Sequence, residues 1–475
     1  MRPSPKFTLF VFSFVLVFGL ATRSFAQQPK PDPAAAAAVV NGQAGYNFTV
    51  KPVNVNQVQP IQLTVGSGTV FDAVTGAVVG ASSGQSSASA NSSRRSNSDG
   101  NDDDLVNGDV RHTPKGGTID GLDTVATFGG AFAAQAGPDQ GNVFKFTMMG
   151  NHPLAGGTTV IPAKLDFVSL VLLNADGSTL TTVPFAPFEE RLLESPNFEP
   201  LDYRSGRNIE YADAIHRAQF FNRMGRDWHT VLVPHVVNRV TITVPRFVNI
   251  RLSDGTIIQA RSYFAGTAAD GSTFVLMLDL LFNFFFDNEV VNQINAGNFV
   301  TKGLNTTMFP NTFLFSLNVA NPNAPGGCCV LGFHTFFEDP TAVPQPRWVT
   351  QFASWISPGI FGAGFEDVTA FSHETSEAFA NPFIDNDTPI WQFPGQPANS
   401  TACQGNLEEG DPIEVLANAT IPITVKERHF NFTYHPQIIP LLQWFEMGTT
   451  SNAIDGAFSF PDETTLPHSA VPCPI

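Results

Sequence analysis

Past residue 140 the chain is organised by short apolar or alternating segments. VFKFTMM (143–149), FVSLVLL (167–173), VTITVPRFVNIRL (240–252), FVLMLDLLF (274–282) and CVLGFHTFF (329–337) are rich in β-branched and aromatic residues. Such runs predict strands, because these side chains fit a pleated, half-buried surface. A weaker alternation in YNFTVKPVNV and IQLTVGSGTVFDAV predicts short strands between residues 46 and 80. The most apolar stretch, VLMLDLLFNFFF (275–286), is interrupted by Asp279 and Asn283 and reads as a buried strand or helix.

Two segments carry a helical period instead. IEYADAIHRAQFFNRM (209–224) places Ile209, Ala212, Ile215, Phe220 and Met224 at helical spacing. FEDVTAFSHETSEAFA (365–380) follows Gly362 and Gly364, carries Glu366 and Asp367 in its expected first turn, and is expected to stop at Asn381-Pro382. Strands outnumber helices, so the predicted class is α+β with a mixed sheet.

The ends read differently. Arg2 and Lys6, the apolar run Phe7 to Ala21, and Ser24-Phe25-Ala26 match a secretory signal over 1–26. Residues 27–79 are expected to form a short β-rich segment after a Pro/Ala-rich leader. GASSGQSSASANSSRRSNSDGNDDD begins an expected disordered linker over 80–110, since it has too little apolar surface to order itself. Residues 111–475 then form the main domain. No apolar run after the signal reaches the roughly 20 residues a membrane helix needs, so no membrane span is expected in the mature chain.

Composition sharpens this. With 44 Phe and only 14% charged residues, the core should be built on large rings. The formal charge is −17, and loss of Arg2, Lys6 and Arg23 with the signal makes it about −20. That charge disfavours nucleic acid and anionic membranes as partners. Four cysteines (Cys328, Cys329, Cys403, Cys473) suit an exported, oxidised protein. A bond between the adjacent pair would strain its ring, so Cys328 and Cys329 are expected to reach Cys403 and Cys473.

The candidate chemistry lies in the second helix. FSHETSEAFANPF (371–383) spells H-E-x-x-E, one change from the zinc-protease motif H-E-x-x-H. On a helix, Phe365, Val368, Phe371, Ser372 and Phe379 share one side, while Glu366, Ala370, His373 and Glu377 face the other. His373 and Glu377 are i, i+4 neighbours and can hold one ion; Glu374 sits where H-E-x-x-H enzymes carry the general base. The bland alternative is a surface His–Glu pair worth a few tenths of a kcal/mol. Downstream, the Pro/Gly/Asn-rich loop at 391–414 carries Glu408, Glu409, Asp411 and Glu414. Either Glu408 or Asp411 is suited to be the third ligand, the alternative being an exposed acidic loop.

SHETSEAFANPF, a Trp, and then Glu408-x-x-Asp411 resemble a zincin-like group of secreted bacterial proteins of unassigned activity. They are also distantly similar to the plant exordium-type phosphate-induced proteins. EYADAIHRAQFFN and CCVLGFH resemble the bacterial group as well, so the likeness runs over residues 140–415. It implies a metalloprotease-like fold, with His373 and Glu377 as metal ligands, Glu374 as base and Glu408 and Asp411 as the acidic motif. Asn381 stands where such chains often carry Asp before the Pro.

His334, on the predicted strand before the motif helix, is a candidate for substrate or metal binding, or a hydrogen-bonded histidine at a strand end. His216, His229 and His235 flank a helix–strand junction and are left unassigned. There is no G-x-S-x-G elbow and no phosphate-binding glycine loop. The sequence therefore leads to an exported zinc-dependent (Zn2+) hydrolase, a peptidase with a polypeptide substrate. The alternative is a non-enzymatic secreted or cell-surface protein, in which any metal is structural.

Overall fold

The computed structural model describes residues 125–448 except 203–207, 221–223, 226, 363, 394–402, 415, 417 and 427–430. It also describes 50–58, 63–66, 68–80 and six single residues: Asp32, Ala34, Phe460, Glu463, Leu466 and His468. The expected signal, Cys473, and all of the expected linker but Gly80 lie outside the described residues.

The chain is a mixed α+β fold, built mostly of strands. Its largest sheet comprises β1 (Val53–Asn54), β2 (Thr158–Leu173), β3 (Thr179–Val183), β4 (His229–Val244), β5 (Leu304–Pro310), β6 (Gly332–Glu338) and β7 (Arg347–Trp355). Their order is β1-β6-β7-β5-β2-β4, with β3 beside β2. The pairs β4/β2, β2/β5 and β5/β7 are parallel, whereas β6 runs antiparallel to β7. FVSLVLL is only the second half of β2, because Thr159, Ile161, Ala163 and Leu165 continue the inward alternation on its N-terminal side. The expected strand 240–252 is divided: β4 ends at Val244, and a separate strand spans Phe247–Arg251 after Pro245, which has no N–H for a ladder. VFKFTMM is a strand with the expected bounds.

The early strands join the main body. Val53–Asn54 pairs in parallel with Phe337–Glu338, and Val70–Asp72 with Asn249–Arg251.

The helices depart from expectation in instructive ways. Instead of one strand over 274–282, a strand over Thr273–Leu278 runs into a 17-residue helix, Asp279–Asn295. Asp279 makes the switch: it is a poor strand residue, and in a first helical turn its carboxylate meets the positive end of the helix dipole. The expected helix 209–224 is shorter, α1 (Tyr211–Gln219). The motif helix, α2 (Thr369–Ala380), starts later than its acidic pair suggested. Asp367 has φ 50° and lies outside it, its carboxylate accepting hydrogen bonds from the Val368 and His435 N–H groups at 2.6 and 2.8 Å. The helix stops before Asn381-Pro382, as expected.

All of α2 is buried against β6, β7 and α1. On the other face of β6 and β7 the core is ring-rich, with Phe282, Phe286, Phe309, Phe333 and Phe352 in mutual edge and tilted contacts.

The expected cysteine pairing is overturned. Cys328 is bonded to Cys329, their Cα atoms 3.0 Å apart across a cis peptide, so the two sulfurs reach each other; Cys403 is also disulfide-bonded. Among the described residues no helix is long and apolar enough to cross a membrane.

Candidate metal centre

Three elements converge on one buried cluster. The α2 helix presents His373, Glu374 and Glu377; β6, lying beneath it, presents His334; the turn after residue 406 presents Glu408 and Asp411. Every residue singled out from the sequence as catalytic, metal-binding or substrate-binding therefore meets at this place. Neither bland alternative describes it. His373 and Glu377 are 7% and 3% exposed, not a surface pair, and the side chains of Glu408 and Asp411 are only 12% and 18% exposed.

On one side, His373 Nε2 lies 3.1 Å from Glu377 Oε1 and 3.4 Å from Asp411 Oδ1. On the other, His334 Nδ1 lies 3.5 Å from Glu377 Oε2, 3.7 Å from Glu408 Oε2 and 3.8 Å from Glu374 Oε2. The sets His373–Glu377–Asp411 and His334–Glu374–Glu377 each bring three potential ligand atoms within 4.8 Å of one another. A tetrahedral zinc with ligands at about 2.0–2.2 Å has ligand–ligand edges of about 3.3–3.6 Å, so these spacings are close to what an ion would require.

The outer nitrogens fix the tautomers. His334 Nε2 donates to the Asn381 carbonyl oxygen at 3.0 Å, so in the neutral ring Nδ1 is a lone pair facing carboxylates. His373 Nδ1 donates to Gln437 Oε1 at 3.0 Å, while Gln437 Nε2 donates to the Gly410 carbonyl at 2.7 Å. This leaves His373 Nε2 as the inward lone pair. A histidine held by its far nitrogen and offering its near one is the usual arrangement of a metal ligand. The carboxylates are held too. Gly410 N–H donates to Glu377 Oε1, Asn381 Nδ2 to Glu408 Oε1 and Gln404 Nε2 to Asp411 Oδ2, at 2.9, 3.1 and 2.7 Å.

The electrostatics of the cluster are set by burial and by the crowding of carboxylates. Burial pushes Glu374 up to about 7, against the pull of His373 and His334. Burial, followed by repulsion from Asp411, pushes the adjacent Glu414 up to about 8. Glu408 is driven well above the carboxylate range by burial, with Glu377, Asp411 and Glu374 adding repulsion. For both histidines burial opposes a charge, yet the carboxylates prevail: Glu408, Glu374 and Glu377 raise His334, and Glu377, Glu374 and Asp411 raise His373. Without a cation, protons must neutralise this cluster. Glu374 Oε2 is buried and has no hydrogen-bond partner among the described residues, an orphaned acceptor in the centre of the group. The donor set, hard carboxylate oxygens with imidazole nitrogens, suits zinc and related divalent ions.

Gln437 and Asn381, which orient the two histidines, were not legible as site residues. Of the unassigned histidines, His216 is packed among Phe128, Phe220, Trp228 and Phe379 and pushed down to about 3 by burial. His229 Nδ1 lies 2.6 Å from Asp213, and His235 is exposed on β4. Comparison with protein-family models, curated proteins and solved structures finds no match.

Proposed function

We propose that this chain is an exported, metal-dependent hydrolase acting on peptide bonds, with His373, Glu377 and Asp411 as the ligands of a zinc-like ion. One observation carries this reading: the inward lone pair of His373 meets two carboxylates at 3.1 and 3.4 Å, with Glu374 alongside, its Oε1 3.9 Å from the same nitrogen. When bound, such an ion polarises a scissile carbonyl and makes water acidic near neutral pH. Gln437 holds the His373 ring by Nδ1 and leaves Nε2 for the ion. Gly410 N–H orients Glu377. Glu374, raised by burial to about 7, is suited to take a proton from water and return it to the leaving amine. The peptide substrate and the zincin-like kinship rest on the motif resemblance, and export on the signal-like N-terminus.

Burial favours a second reading. His334, His373, Glu374 and Glu377 are all under 8% exposed, and closed metal sites are more often structural than catalytic. In that case the ion stabilises a non-enzymatic secreted or cell-surface protein.

A peptide-library digestion followed by mass spectrometry, run on wild type and Glu374→Gln with metal content measured for both, decides between them. The hydrolase reading expects cleavage by wild type and a loss of about 10²–10⁴-fold in the variant with the ion at His373 retained. Metal-loaded wild type that cleaves nothing, or a variant that cleaves equally well, favours the structural reading.

A further inference from the structure

We infer that the cluster is a two-cation centre in which Glu377 is the shared ligand: one ion on the His373 side and a second held by His334 Nδ1, Glu374 Oε2 and Glu377 Oε2. This inference rests on the metal site proposed above and adds a second ion to it.

Glu377 divides its two oxygens between the histidines. Oε1 faces His373 Nε2 at 3.1 Å and Oε2 faces His334 Nδ1 at 3.5 Å. Glu374 does the same at longer range, Oε1 at 3.9 Å from His373 and Oε2 at 3.8 Å from His334. A carboxylate with one oxygen directed to each of two imidazole lone pairs has the form of a bridge between ions about 3.5–4 Å apart.

The two histidines are prepared alike. Each gives its outer N–H to a carbonyl-type oxygen at 3.0 Å, Asn381 O for His334 and Gln437 Oε1 for His373. A second ion gives a common purpose to the three carboxylate oxygens that face the His334 lone pair at 3.5–3.8 Å. Glu374 supplies an independent sign. It is 4% exposed, its Oε2 has no hydrogen-bond partner among the described residues, and that atom points to the His334 side.

Charge balance agrees. Glu374, Glu377, Glu408 and Asp411 carry four negative charges when ionised, and both histidines are neutral when they bind metal. Of these four charges one divalent ion offsets two and two ions offset all; Glu409, fully buried beside Glu377 and Glu408, stands outside this count. Glu408 Oε2, 3.7 Å from His334 Nδ1, is the remaining carboxylate on that side. Glu374 then gives Oε2 to the second ion and keeps Oε1 on the first side.

The test is calorimetric titration of zinc chloride into the chelator-stripped full chain, with bound metal counted by mass spectrometry after desalting. The inference expects two zinc ions per chain in wild type and one in His334→Ala. X-ray absorption of the loaded wild type should show a metal–metal vector at about 3.5–4 Å. Should His334→Ala fail to fold by near-ultraviolet circular dichroism, Glu408→Gln replaces it. That change keeps an oxygen for Asn381, and the second ion should bind at least tenfold more weakly. One ion in wild type, unchanged in the variant, overturns the second site and leaves the first standing. No bound ion in wild type overturns both.

Discussion

Gly332 lies so close to Glu374 that a β-carbon on it would stand 2.5 Å from Oε1 and 2.7 Å from Cγ. The first residue of β6 thus leaves room for the proposed base, as Gly410 leaves room for the His373 ring, whose Nδ1 would lie 2.5 Å from a β-carbon there. Gly410 has φ −80°, which any residue adopts, so space and not backbone freedom makes it glycine.

Gly410→Ala should therefore push the His373 ring off the Gln437 hydrogen bond and weaken metal binding by about 10–100-fold, the usual cost of losing an orienting partner. Gly332→Ala should leave the ion on the His373 side in place and lower kcat through displacement of Glu374. Paired titrations and rate measurements separate the two effects. Equal effects of both variants on metal affinity would contradict the assigned geometry.

Gln437 is the residue that makes His373 a ligand. Replacing it with Leu removes the acceptor for Nδ1 and the donor to the Gly410 carbonyl. Metal affinity should fall by about 10–100-fold, while Gln437→Glu, which keeps the acceptor, should retain most of it. Competition with a chromophoric chelator measures both.

Metal affinity should climb with pH. Binding requires neutral histidines and ionised carboxylates, yet the metal-free cluster holds protons: burial lifts Glu374 to about 7, and the carboxylates lift both histidines. Each ion must displace protons, so zinc should bind more tightly at pH 8 than at pH 6, with proton release visible as a buffer-dependent heat. Pre-loading at a thousandfold excess over Kd should stabilise the fold by about 4 kcal/mol, and a chelator should abolish this in thermal melts.

A separate pH effect sits at the start of α1. Glu210 accepts from the Leu232 N–H at 2.7 Å, and burial pushes its pKa from an ordinary 4.5 up to about 8. The folded state holds this proton more tightly than the unfolded chain. The associated stability is complete below about 4.5 and disappears as pH rises through about 8, on the order of 5 kcal/mol in all. Glu210→Gln keeps the acceptor without the charge. Its urea midpoint should match wild type near pH 5 and exceed it at pH 9; identical profiles would contradict the buried-acid assignment.

Much of the site was legible because it is local. The spacing of His373 and Glu377 on a helix, and the acidic run at 408–414, are short-range facts that a 3.6-residue period converts into geometry. What was not legible depends on long-range packing. Nothing near Gln437 marks it as the partner of a histidine 64 residues away. His334 was a candidate from its place before α2, but the three carboxylates it meets show only once β6 is seen to pass beneath α2. The acidic pair at 366–367 suggested a helix start that Asp367 forgoes by turning back to hold His435. Likewise Asp279, a polar interruption in an apolar run, marks where the chain changes from strand to helix.

The most direct test of the account is anomalous diffraction at the zinc edge from crystals of the full chain grown with zinc. The account predicts a peak about 2.0–2.2 Å from His373 Nε2, shared with Glu377 Oε1 and Asp411 Oδ1 and absent in His373→Ala. A well-ordered cluster with no peak beside His373, or zinc bound only elsewhere on the surface, would contradict it.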